Sequence, residues 1–582
     1  MKKSVIIAFI LLFVVKFSMA QTTDACEYIK VLASDSLQGR LTGTTGAEMA
    51  ASYIQKGFIA DKLELLFDNG FQYLDVVTGA ELGKKNYFEF NKQKFIAETD
   101  YIPYSFSQDT VISASIVFAG YGFSISNDSM KWDDYKNVDV KNKWVMVLRG
   151  TPEKYKTKLS NFSADRNKML AAKDHGAAGI ILVSKDGKGK DSGLVALSLE
   201  KTKSRAGICV INVTQKTADR ILSSGKQTIT TLEPKSSEAS NDISFELKGN
   251  LNVSVEIIAK KVKSANVVGR LMSTQKTDNY IVIGAHYDHL GMGGHGSGSR
   301  KPDTVAVHNG ADDNASGTAS VMAMADRFSK TKLTGNYNII FVAFTGEEEG
   351  LLGSAWFVKH LPVDKKKIKL MINYDMVGRL NAKHSLTVGG VGTFADAEKV
   401  LRQNNDSTKL KLSLSKEGFG PSDHASFYND SIPVLYFNTG VHGDYHTPED
   451  DFDKINCAGV NLIGDYTARL LEDLAKNTYN MAFLEAGSKK QGSQREGMKV
   501  TLGIMPDFAE QDVKGLGVAA VTPDGPAFRG GVLKSDIIVA INGKPINDIY
   551  DYMERLKSIN PGQTITVDVI RNGKKEVLLI QL

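Results

Sequence analysis

Five short clusters in the 582-residue chain combine imidazole and carboxylate side chains: His286-Tyr287-Asp288, Gly310-Ala311-Asp312-Asp313-Asn314, Glu347-Glu348-Glu349, Asn373-Tyr374-Asp375 and Asp444-Tyr445-His446. Taken singly, each has an ordinary explanation. Asp312 to Asn314 would cap a following helix, three consecutive Glu make a solvated turn, and His446 before Thr447-Pro448 suits a bend. Gathered in one place, the carboxylates would repel one another unless a cation sat between them. Imidazole with carboxylate suits zinc and related divalent ions. The chain has only 3 Cys and no C-x-x-C pair, so a thiolate site is excluded.

The elements around these clusters explain how they could meet. Strand-like apolar runs near Tyr280–Ala285, Asn338–Phe344, Lys369–Asn373, Ser385–Val388 and Ile432–Phe437 alternate with helical patterns near Ser316–Ser329, Gly353–Lys359, Phe394–Asn404 and Gly459–Lys476. Alternation of this kind predicts an α/β sheet covered by helices on both faces. Such sheets bind ligands at the carboxyl ends of their strands. The clusters fall at those ends or in the loops that follow.

With their order and spacing, His286-Tyr-Asp288, Gly310-Ala-Asp-Asp-Asn-Ala-Ser-Gly317, Glu347-Glu348-Glu-Gly-Leu-Leu-Gly-Ser354, Asn373-Tyr-Asp-Met-Val-Gly378, Ser422-Asp-His424 and Tyr445-His-Thr-Pro448 resemble peptidase family M28, a family of zinc aminopeptidases. The resemblance implies a mixed-sheet α/β peptidase domain with two zinc ions per chain. His286, Asp313 and Asp375 would hold one ion, and Asp313, Glu348 and His446 the other, with Asp313 as the bridge and Asp312 as its non-ligating neighbour. A water between the ions would attack the N-terminal peptide bond of a peptide, with Glu347 as general base. Asp288, two residues past His286, falls on the same side of an extended chain and fits a carboxylate that orients the imidazole. Tyr445 is expected to donate a hydrogen bond to the oxyanion. The family pattern does not call on His289, His295, His308 or His442. The glycine-rich stretch 291–298 lacks the Gly-Lys-Ser/Thr ending of a phosphate cradle and reads as a loop beside the site.

The rest of the chain divides by composition and by further resemblances. Residues 1–20, with Lys2, Lys3, an apolar run from Val5 to Val15 and Ser18-Met-Ala20, have the layout of a secretory signal. This predicts an exported protein, periplasmic or extracellular. Losing Lys2, Lys3 and Lys16 takes the formal charge from +5 to +5 − 3 = +2, which leaves no basic field for nucleic acid. No later stretch approaches the ~18 apolar residues of a membrane span. Residues 21–110 and 246–482 are expected to form the peptidase domain, split around an insertion at 111–245. That insertion resembles a protease-associated (PA) domain through Gly120-Tyr-Gly122, Trp132-Asp-Asp-Tyr135 and Ala171-Ala-Lys-Asp-His-Gly-Ala-Ala-Gly179. Residues 483–497 read as a polar linker. Residues 498–582 resemble a β-rich, α+β PDZ domain through Gly525-Pro-Ala527 and Gly531-Val-Leu-Lys-Ser-Asp536. Thr501, Leu502, Gly503 and Ile504 are its candidate loop for a peptide's C-terminal carboxylate. The three Cys are expected as small buried residues, with Cys26 and Cys457 able to pair only if the N-terminal segment packs on a late helix. Besides an aminopeptidase, the sequence leaves open a carboxypeptidase or dipeptidase of the same family, a glutaminyl cyclase, and a non-catalytic peptide-binding protein.

Overall fold

The structure, a computed structural model, describes residues 24–127, 130–186, 193–197, 205–238, 243–486, 499–507, 514–522 and 525–582. The expected signal at 1–20 and most of the expected linker lie outside the described residues. A nine-stranded mixed sheet forms the centre of the peptidase part. Its core strands Asn338–Phe344, Tyr280–His286, Ile368–Tyr374 and Val434–Asn438 lie side by side and parallel. Strand Ile257–Leu271 joins antiparallel on one side and Ser385–Gly389 on the other.

Burial explains why these segments are strands. Every residue of Tyr280–His286 and Asn338–Phe344 is buried, so the alternation expected of a half-exposed strand becomes a continuous apolar run. The alternation survives in which core each residue joins. Ile281, Ile283, Phe341 and Ala343 pack with helices Ala25–Leu32, Gly317–Thr331 and Cys457–Lys476 on one face. Val282, Ile340, Val342 and Phe344 pack with Leu352–Lys359 and His424–Asn429 on the other.

Cys26 and Cys457 form a disulfide with 5.7 Å between their Cα atoms, which corrects the expectation of three reduced, buried thiols. Both open a helix, and the short helix Ala25–Leu32 packs on the long late helix Cys457–Lys476, which brings the sulfurs together. A crosslink over 431 residues of sequence removes much freedom from the unfolded chain, a stabilisation of about 2–4 kcal/mol. Cys209 alone is free and buried, its thiol pushed up to about 12 by burial.

A second sheet of eight strands belongs to the insertion, and it reaches past both ends of the expected 111–245 span. Tyr87–Phe90, Gln93–Phe95 and Tyr101–Pro103 join it from upstream, and Phe245–Val255 extends it downstream. The C-terminal part has its own six-stranded sheet, in which Thr564–Arg571 and Lys574–Gln581 form a hairpin through Asn572-Gly573. Both turn residues have positive φ, 50° and 75°, as such a tight hairpin requires. Ion pairs fasten this part to the insertion: Arg166 to Asp548 at 3.0 Å, Lys173 to Asp551 at 3.3 Å, and Arg555 to both oxygens of Asp174 at 2.8 Å. The Arg166 guanidinium also lies between the rings of Phe106 and Tyr550. On its other side, Lys534 reaches Asp430 of the peptidase part at 3.3 Å.

Candidate metal centre

The parallel strands end together, and the side chains beyond them converge. His286 is the last residue of its strand, Asp375 follows Ile368–Tyr374 directly, and Glu347 and Glu348 stand in the loop after Phe344. Asp313 comes from the irregular turn Ala311–Ser316 before helix Gly317–Thr331, and His446 from the turn after Val434–Asn438. The Asp313 carboxylate lies between two imidazoles: Oδ1 is 3.4 Å from His286 Nε2, and Oδ2 is 3.0 Å from His446 Nε2. His286 Nε2 is also 3.6 Å from Asp375 Oδ1 and 3.9 Å from Glu347 Oε2. His446 Nε2 is 3.3 Å from Glu348 Oε1. The five expected ligands and the expected base therefore face one another.

Protonation is strongly perturbed here. Burial disfavours a charged His286, but the carboxylates of Glu347, Asp375 and Asp313 outweigh it and hold the ring well above its ordinary pKa. Burial likewise opposes a charged His446, yet hydrogen bonds to Asp313 and Glu348 push it up to about 10. Burial, with Glu348 and Asp423 nearby, drives Glu347 well above the usual carboxylate range, against the pull of His286. Glu348 goes the other way. Burial is overcome by hydrogen bonds from His289 and His446, and the group falls well below its ordinary value. The cluster favours positive charge, and a divalent ion would supply it in place of the imidazole protons. The donor set, nitrogen and oxygen with no sulfur, fits such an ion.

Asp288 acts differently from the expected imidazole-orienting carboxylate. Its Oδ1 is 3.8 Å from His286 Nδ1, beyond a hydrogen bond, and that nitrogen faces the Asp288 backbone carbonyl at 3.2 Å instead. The carboxylate accepts from the backbone N–H groups of Glu347 and Glu348, at 3.1 and 3.3 Å, and from the Thr42 hydroxyl at 2.9 Å. It thus pins the loop that carries both glutamates. Tyr445 stacks on His446 with ring centres 3.8 Å apart. Burial and the carboxylates of Asp313 and Glu348 raise its phenol, which stays protonated and able to donate.

Among the histidines set aside by pattern, three lie off the cluster. His442 contacts Asp312 Oδ2 at 3.1 Å, His308 bonds Ser299 at 2.8 Å, and the exposed His295 meets Asp303. His289 corrects the expectation: its Nδ1 is 2.9 Å from Glu348 Oε1, inside the cluster. Sequence reasoning also missed two supports. Asp450 accepts from the backbone N–H of Asp312 and Asp313, at 2.9 and 3.0 Å, and so holds the turn that presents Asp313. Arg40, fully buried, donates to the carbonyls of Leu32, Tyr287, Asn309 and Gly310 and ties three loops under the site. A cavity of about 470 Å³ opens beside Glu349, lined by Thr42, Thr78, Leu290, Met292 and the glycine-rich loop.

Residues 266–471 match the model of peptidase family M28, residues 112–221 that of the PA domain and residues 493–582 that of the PDZ domain. The M28 match thus falls on the part of the chain that carries the cluster, with the PA match before it and the PDZ match after it. Among curated proteins it is similar to Aminopeptidase YwaD of Bacillus subtilis (strain 168), with 31% identity over 225 residues, covering 37% of this chain and 45% of that protein. It is also similar to a probable leucine aminopeptidase of Trichophyton verrucosum (strain HKI 0517), with 30% identity over 204 residues, covering 33% and 50%. The chain spans about half the length of these relatives. Of solved structures, BSAP, a zinc aminopeptidase from Bacillus subtilis, matches at 21% identity and a TM-score of 0.45, covering 79% of this chain and 97% of that one.

Proposed function

We propose that the chain is a dinuclear zinc aminopeptidase, exported from the cytoplasm, that removes N-terminal residues from peptides. One observation carries the reading: the two oxygens of Asp313 face different imidazoles, His286 at 3.4 Å and His446 at 3.0 Å, as a carboxylate shared by two ions must. His286 and Asp375 would complete one site, Glu348 and His446 the other. Relatives named aminopeptidases support the choice of reaction. When bound, the two ions would polarise the scissile carbonyl and acidify a water.

The protein's own groups do the rest. Glu347 lies 3.9 Å from His286 Nε2 and gathers with His286 and Asp375 at the first site. Its raised affinity for a proton suits it to take one from the attacking water and pass it to the leaving amine. The protonated Tyr445 phenol donates to the oxygen that gains charge. Asp288 keeps the Glu347 backbone in place through its 3.1 Å bond. The cavity beside Glu349 gives room for one arm of a peptide. In the PDZ part, strand Ile504–Pro506 pairs, among the described residues, only with Leu516–Val521. Its free edge would accept a peptide C-terminus as an added strand, with Leu502 and Ile504 beside it.

Metal analysis with matched peptides tests the proposal. Two zinc ions per chain, cleavage of peptides with a free amino terminus and loss of cleavage on N-acetylation are expected. Glu347→Ala should abolish turnover while keeping both ions. Indifference to N-acetylation with sensitivity to C-terminal amidation would replace the reading with a carboxypeptidase.

A further inference from the structure

His289 stands outside the five expected ligands, yet it gathers with two of them, Asp313 and Glu348. Its ring is fully buried, and Nδ1 lies 2.9 Å from Glu348 Oε1 but 3.9 Å from Asp313 Oδ2. A carboxylate oxygen only accepts, so the contact is a hydrogen bond in the tautomer that carries its proton on Nδ1. Nε2 is buried without a protein partner, and nothing there competes for the proton. Glu348 Oε1 is the same oxygen that lies 3.3 Å from His446 Nε2, so it is held between two imidazoles. One of them, His446, also meets the Asp313 bridge at 3.0 Å; the other does so only at long range.

The ring has little freedom to move. It meets the His446 ring edge-to-face at 5.7 Å. On another side it lies against Gly310, where a Cβ would come within 2.5 Å of His289 Cδ2 and where φ is +53°. Any other residue at 310 would be strained and would displace the ring. The Gly310 carbonyl is in turn fixed by Arg40 Nη2 at 3.1 Å, and the His289 backbone N–H by the Arg40 carbonyl at 3.2 Å. His289 is thus a rigid donor aimed at a single carboxylate oxygen.

We propose that His289 is a positioning residue for the second metal site, holding Glu348 Oε1 where it and His446 Nε2 share an ion. This rests on the two-ion reading above and adds an asymmetry to it. The site of Asp313, Glu348 and His446 depends on His289, whereas the site of His286, Asp313 and Asp375 does not.

The test uses the full chain, with zinc titration against a competing chelator and zinc-edge X-ray absorption. His289→Ala should weaken one of the two zinc equivalents by about 10–100-fold, the range for partners that orient a ligand, and leave the other within about 3-fold. His289→Asn, whose side-chain N–H can occupy the Nδ1 position, should restore most of the loss; this variant guards against a mere packing defect. Wild-type absorption should show two imidazoles over two ions, unchanged in number in the variants. Equal weakening of both equivalents, or no rescue by Asn, would overturn the proposal. So would three imidazoles over two ions falling to two in His289→Ala, which would make His289 a direct ligand. A wild-type protein that binds fewer than two zinc ions would instead sink the two-ion reading itself.

Discussion

Asp288→Asn removes one acceptor from a buried carboxylate that takes three hydrogen bonds. Oδ1 accepts from the Glu347 N–H, and Oδ2 from the Glu348 N–H and the Thr42 hydroxyl. Asparagine keeps a single oxygen. The Thr42 hydroxyl can turn and accept from the new amide, but a backbone N–H cannot, so one of the two glutamate N–H groups loses its partner. An orphaned buried N–H costs about 1–3 kcal/mol. Burial already raises the Asp288 carboxyl, so removing its charge offsets part of that cost, and a net loss of about 1–2 kcal/mol follows. The larger effect falls on Glu347, the proposed base. If the loop relaxes by about 1 Å, Glu347 leaves its working position and turnover falls about 100-fold. Steady-state kinetics with a free-amino peptide should show kcat down about 10–100-fold and KM within about 3-fold. Zinc binding at the site of His286, Asp313 and Asp375 should be unchanged, because the relaxed loop carries none of its ligands. If the affinity of that site falls 10–100-fold and kcat recovers at saturating zinc, the carboxylate acts through the His286 ring, and the loop-pinning argument is wrong.

Two further predictions concern parts away from the metal. Burial and the neighbouring Asp326 carboxylate, against Lys330, push Asp61 up to about 7 from 3.8. A folded pKa above the unfolded one means stability is lost as pH rises from about 4 to about 7. Asp61→Asn should therefore raise stability at pH 8 by about 1 kcal/mol, discounted because the group is half exposed, and give no gain at pH 4; a gain independent of pH would refute this. Separately, Asp174→Arg or Arg555→Asp should break the bidentate pair between insertion and PDZ part and speed limited proteolysis. The double exchange should slow it again, and failure of that rescue would show that the pair does not hold the two parts together.

What was legible in the sequence follows from where the chain is regular. Strands Tyr280–His286 and Asn338–Phe344 are buried on both faces, so their apolar runs are unbroken and their ends, with His286 and Glu347 to Glu348, could be read directly. Alternation along an extended chain put Asp288 beside His286, but the strand stops at His286 and that rule stops with it. Past that point the chain pairs with residues 39–41, through Gly291 N to Gly39 O at 3.0 Å and His289 N to Arg40 O at 3.2 Å. That contact turns the His289 ring toward Glu348 and the Asp288 carboxylate toward the glutamate loop. No spacing within residues 286–291 encodes it, because the partner lies far upstream. The same holds for the disulfide, whose two cysteines are 431 residues apart and meet only through helix packing, and for strands 87–103 and 245–255, which local composition could not assign to the insertion's sheet.

The charge balance shows why long-range contacts matter to this site. Over the whole chain, 71 Lys and Arg nearly match 66 Asp and Glu. Around the cluster the balance fails: Asp288, Asp312, Asp313, Glu347, Glu348, Asp375, Asp423 and Asp450 gather against the guanidiniums of Arg40 and Arg379. Arg40 is buried so deeply that desolvation pulls it down to about 10, even with Asp288 and Asp313 nearby, so it is a cation retained at a cost. Burial of these acids beside one another raises Asp288, Asp312, Asp313, Glu347 and Asp423 above their ordinary values. Protons on His286 and His446 offset part of the repulsion, and divalent ions held there would offset more. The fold has thus brought acids together from several loops into a place where bound cations would make their proximity stable.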